Sequence, residues 1–148
     1  VPLKATSRLR PRAGSERTVD APDFVTGNNA NILVPGEALR KVDIPARALR
    51  KRHTHRRFTL TKLGRSTIFM IATRGVDDLL LTITAGTTRP VRLAFDSMPE
   101  ADALAHRIGE LPEELWFDDP NGSPDHRRHL AGHYAEEIRT ELISRGAS

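Results

Sequence analysis

Apolar and polar residues alternate most regularly between Arg56 and Phe95, and that run predicts four short strands. Phe58, Leu60 and Lys62 oppose Thr59, Thr61 and Leu63, the pattern of a half-buried strand. From Ser66 to Thr73 both faces are apolar, with Ile68, Met70 and Ala72 opposite Phe69 and Ile71, so this strand is expected at the centre with both sides covered. Leu79, Leu81 and Ile83 then face inward with Leu80, Thr82 and Thr84 behind them, and Val91, Leu93 and Phe95 repeat the inward spacing against Arg92 and Ala94. Gly64-Arg65, Gly75–Asp78 and Ala85–Pro90 are too short for parallel crossovers. An antiparallel meander follows.

Upstream, Asn31–Val34 and Lys41–Ile44 predict two further short strands, stopped by Pro35-Gly36 and by Pro45. Residues 1–23 hold Arg8, Arg10, Arg12 and Arg17 with little to bury, which predicts a basic flexible arm and a single α+β domain over 24–148. After the meander, Ser97 with Pro99 and Glu100 reads as a capping box, and Ala101, Leu104, Ala105 and Ile108 form a helical stripe ended by Gly109 and Pro112. A second helix starts at Ser123-Pro124. Leu130, Tyr134, Ile138 and Leu142 recur on it every fourth residue beside Ala131 and Ala135, and Gly146 supplies its stop.

These elements imply an α+β fold: a strongly bent antiparallel sheet or partly open barrel of five to seven strands, a capping helix and a second, C-terminal helix. In outline, over about residues 30–111, the arrangement resembles the pleckstrin-homology-like superfold. That scaffold hosts unrelated functions, so the resemblance implies a shape only.

Charge changes the picture more than composition does. Residues 1–74 carry 16 Lys/Arg against 5 Asp/Glu, a balance of +11, whereas residues 75–148 carry 7 against 14, a balance of −7. The densest basic run, Ala46–Arg57, holds Arg47, Arg50, Lys51, Arg52, Arg56 and Arg57 around His53 and His55. Read as an extended segment, it offers a ladder of guanidinium groups to a phosphate backbone, with Arg8, Arg10 and Arg12 as an auxiliary arm. The two halves can equally attract one another. The chain has no cysteine, which removes disulfides, thiol nucleophiles and thiolate metal ligands without deciding the compartment. No stretch approaches 18 consecutive apolar residues, so a helical span is not expected and a soluble, cytoplasmic location is favoured. The start at Val1 points to a processed or excised polypeptide.

Candidate chemistry is sparse. His126, His129 and His133 lie along one helix with Glu136 and Glu137 a turn further on, a weak zinc pattern because ligands on successive turns converge poorly and the zincin glutamate is missing. Asp77-Asp78 and Asp118-Asp119 sit in expected turns. No nucleotide-loop, dinucleotide, serine-hydrolase or EF-hand signature occurs, and no cofactor is expected. The residues therefore point away from an enzyme and towards a binding module that engages a polyanion, nucleic acid ahead of anionic lipid. One alternative is a protein-interaction or self-assembly module using Trp116, Phe117 and the last helix. Another is an enzyme whose active site the sequence does not display.

Overall fold

The structure, a computed structural model, describes residues 5–145 and divides into two compact units, Val1–Arg50 and Lys51–Ser148. The expected helix stop at Gly146 lies outside the described residues.

The first unit contains strands β1 (Thr6–Pro11), β2 (Arg17–Asp20), a β3–β4 hairpin (Val25–Gly27 and Ala30–Asn31) and β5 (Glu37–Asp43). The sheet order is β2-β1-β5, antiparallel throughout. Residues 6–20, expected within a flexible arm, are thus mostly strand. Ser7 and Leu9 are buried between exposed Arg8 and Arg10, and Arg17 donates to both carboxylate oxygens of Glu37 at 2.8 and 2.7 Å, so partners distant in sequence order the segment. Lys41–Asp43 belongs to β5 as predicted, but Ile32–Val34 is not a strand. Arg17 Nη2 donates to the Ile32 carbonyl at 3.0 Å, while the Leu33 and Val34 amides donate to the Asn31 and Glu37 side chains at 3.0 and 3.1 Å. Those side chains take up backbone groups that a ladder would use. Ala46–Arg50 forms a short 3-10 turn, which removes Arg47 and Arg50 from the extended ladder expected of the basic run.

The second unit is the predicted meander, an open four-stranded sheet in the order β6 (Arg52–Thr59), β7 (Ser66–Arg74), β8 (Leu79–Thr84) and β9 (Val91–Phe95). It is followed by α1 (Ala101–Gly109) and the 21-residue α2 (Pro124–Ser144). The fold is therefore α+β, with an open rather than closed sheet and two helices. Register puts Met70 opposite Ile83 and Ala72 opposite Leu81, and all four are buried. Phe69 and Ile71 on the reverse face of β7 are only half-buried, so the central strand is fully covered on one side alone. Leu104 and Ile108 of α1 and Leu130, Ala131, Ala135, Ile138 and Leu142 of α2 complete the core. The capping box does not form: α1 begins after Glu100, and no side chain caps it. Ser123 does cap α2, accepting from the His126 amide at 3.3 Å. No described helix is long and apolar enough to cross a membrane.

Candidate functional site

Alternation along β6 brings Thr54, Arg56 and Phe58 to the face met by α2, and their residue types decide how the seam closes. Phe58 packs against the core, with the His126 ring edge-on at 5.9 Å. Arg56 reaches Glu137 at 2.6 Å and Glu141 at 2.8 Å, carboxylates one turn apart on α2, and the Thr54 hydroxyl donates to Glu141 at 2.9 Å. His133 Nε2 lies 3.1 Å from the second oxygen of Glu137. His133, Glu136, Glu137, Thr140 and Glu141 line a shallow groove of about 440 Å³, the candidate site by shape and charge.

Its electrostatics argue against proton-transfer work. The Arg56 hydrogen bond holds the Glu137 carboxyl below its ordinary value, and Arg56 and then Thr54 do the same for Glu141. Glu136 is likewise lowered, chiefly by its bond from Arg139 at 2.6 Å. Carboxylates held ionised in this way are weak bases near neutrality and poor proton donors. The groove joins helix to strand.

A second cluster lies towards the N-terminal end of α2. Arg127 is fully buried, with Nε donating to the Gly122 carbonyl at 2.9 Å, Nη1 to the carbonyls of Thr67 and Ala85, the latter at 2.9 Å, and Nη2 to Asp119 at 2.5 Å. The Phe117 ring covers the guanidinium at 5.8 Å. Burial pushes the Asp119 carboxyl up, but hydrogen bonds from Asn121 and the charge of Arg127 outweigh it and leave it below its ordinary value. Backbone approach is close here: a Cβ on Gly122 would meet the Thr67 methyl at 2.8 Å, and Ala85 adopts a left-handed φ of 61°. One arginine thereby ties the start of α2 to β7 and to two loops. Sequence reasoning missed it, although Arg127 stands four residues before Ala131, in register with the buried stripe.

The predicted basic face is dispersed. Arg47 and Arg50 are exposed on the 3-10 turn of the first unit, whereas Lys51, Arg52, Arg56 and Arg57 belong to the second. Lys51 pairs with Asp78, Arg52 donates to the Arg145 carbonyl, Arg56 is held by α2, and Arg57 donates to Ser66 Oγ at 2.7 Å and to the Gly64 carbonyl at 3.2 Å. Arg8 pairs with Asp43 at 3.1 Å, while Arg10 and Arg12 are on the first unit's surface. Trp116 is buried in the core and Phe117 lies over Arg127, so the structure uses both internally. His126, His129 and His133 are exposed, and among the described residues no group of three or more His, Cys, Asp or Glu side chains could hold a metal ion.

No protein-family model matches the chain, and no curated protein matches it significantly. Solved structures do. Quinoline 2-oxidoreductase from Pseudomonas putida 86 superposes with a TM-score of 0.72 at 21% identity, over 99% of this chain and 54% of that one. Carbon monoxide dehydrogenase from Hydrogenophaga pseudoflava, in a form lacking the Mo-pyranopterin moiety of its molybdenum cofactor, gives 0.72 at 18% identity over 97% and 54%. Reconstituted CO dehydrogenase from Oligotropha carboxidovorans gives 0.70 at 18% identity over 93% and 54%. The chain thus spans about half the length of the solved chains that it matches. At these identities the likeness is one of fold, and the fold is one found in oxidoreductases. It overturns two expectations from sequence, a stand-alone polyanion-binding module for nucleic acid or lipid and a chain pointing away from an enzyme. The physical reason is the one above: acidic, hydroxyl and carbonyl groups of the same unit answer Lys51, Arg52, Arg56 and Arg57. The molybdenum cofactor is named for one of these proteins alone; this chain has no cysteine and, among the described residues, no cluster of metal ligands.

Proposed function

We propose that this chain is a supporting portion of an oxidoreductase, contributing a folded frame to the enzyme rather than the residues that carry the redox step. The carrying observation is the superposition of 99% of the chain on a quinoline oxidoreductase at a TM-score of 0.72. The internal use of the charged groups supports the same reading. Arg127 and Arg56 spend their hydrogen bonds fixing α2 to the sheet, and the carboxylates they hold are poorly placed for proton transfer near neutrality. Trp116 and Phe117, expected as a lid over the core and otherwise as a partner-binding anchor, serve the core and the arginine cluster, so a protein partner would have to meet another surface. The electron donor and the substrate belong to the complete enzyme.

The test is a native-gel activity stain on cells that produce the tagged chain, with a tetrazolium dye as acceptor and quinoline or carbon monoxide as reductant. Dye reduction migrating with the tag is the expected result. A tag that never accompanies a dye-reducing band with either reductant contradicts the reading.

A further inference from the structure

The first unit is short of a core and has an open sheet edge. Among its described residues Leu9 is the only buried hydrophobic, while Val25, Val34, Leu39, Val42, Ile44 and Leu49 are exposed. The exposure is concentrated at β5, where Leu39, Val42 and the following Ile44 are 40%, 47% and 57% accessible. Strand β5 is seven residues long and, among the described residues, is paired with β1 alone, so one row of its backbone N–H and C=O groups has no ladder partner among them. Leu39 stands opposite Leu9 and Val42 opposite Ser7, which makes them the outer extension of the face whose centre is already buried. The charges that ordinarily guard an edge are answered locally, Arg40 by Glu16 and Lys41 by Asp43 at 2.9 Å. A strand arriving there meets little net charge.

We infer that β5 is a docking edge for a further polypeptide segment of the same oxidoreductase, one that adds a strand bearing alternate apolar residues and covers Leu39, Val42 and Ile44. The size of the occupant is set by the likeness to the solved chains: 54% of each is matched here, so the unmatched remainder is a polypeptide nearly as large as this chain. Strand addition supplies main-chain hydrogen bonds for affinity and alternate side-chain positions for selection. This inference rests on the reading of the chain as part of an oxidoreductase, but its test does not read redox activity.

The test is peptide-resolved hydrogen–deuterium exchange over residues 37–44, comparing the 148-residue chain alone with the native protein that contains it, purified from its source cells and weighed by native mass spectrometry. Exchange should slow at least tenfold in the native species, whose mass should exceed that of this chain by roughly its own size without being a multiple of it. A Leu39→Lys, Val42→Lys variant should lose that slowing while α2 stays as protected as before. Equal exchange in the two preparations overturns the inference, and so does slowing that accompanies a dimer of this chain alone. If β5 is covered in a species that reduces no dye, the docking edge stands and the redox reading falls. If the species reduces dye with β5 still open, the reverse holds.

Discussion

The two units of this chain are built from the same kinds of residue, yet they treat apolar surface in opposite ways. Lys51–Ser148 gathers fifteen buried hydrophobic residues into one cluster and leaves four large ones exposed, whereas the described part of Val1–Arg50 buries one and exposes six. Ordering a residue's backbone costs about 1–2 kcal/mol, so a segment offsets that cost only with substantial burial. The second unit has the burial. The difference teaches where apolar burial lies: the second unit has a core of its own, and the described part of the first has little. The arginines follow the same division, since Arg127 and Arg56 stitch the second unit internally while Arg47 and Arg50 stay exposed in the first.

The comparison is broken most readily at Arg127. Replacing it with Met leaves three buried or half-buried carbonyls and Asp119 without their donor, which should cost about 3–5 kcal/mol. Urea unfolding followed by the fluorescence of Trp116, the chain's only tryptophan, reads the second unit directly. Leu81→Ala, at a fully buried position of β8, should cost about 3 kcal/mol in the same assay. Arg56→Gln lies at a half-exposed seam and should cost about 1 kcal/mol. It should also change the acid limb. Glu137 and Glu141 have folded-state values below their ordinary ones, so their contribution is fully present above an unfolded value of about 4.3 and is lost as pH falls through the folded values. In the Gln variant stability should fall less steeply with acid over that window, whereas an unchanged slope would show that Arg56 is not its source. In the first unit, Arg17→Ala should return the Glu37 carboxyl from about 2 towards the ordinary carboxylate range, a shift that NMR titration follows. Leu39→Ser should be the smallest perturbation, within about 0.5 kcal/mol for the chain alone, because the residue is already accessible. A larger loss would mean that the β5 face is covered without any partner.

The legible part of the fold was the part governed by local pattern. Leu79, Leu81 and Ile83 alternate cleanly and are buried as read, and the Leu130–Leu142 stripe with its Ser123 cap sits on the core. What escaped depends on partners far apart in sequence. Thr6–Pro11 has no local signal that sets it apart from an arm, and its order comes from β5 more than twenty residues on. The basic run suggested a surface ladder because it contains no acidic residue, yet the groups answering Arg56 lie more than eighty residues away on α2. Arg127 escaped for a different reason. It occupies a core position in a stripe read only for apolar residues, and apart from Asp119 its acceptors are backbone carbonyls, which no composition can reveal. The oxidoreductase likeness resides in the fold, with no motif to announce it.

The central claim, that one unit holds itself together and the other does not, is tested most directly by native-state hydrogen exchange on the 148-residue chain without a partner. Amides of β7, β8 and α2 should exchange only through global unfolding and share one large opening free energy, while those of β1, β2 and β5 should exchange through much smaller local openings. Equal protection in the two units, lost together at one denaturant concentration, would contradict the account.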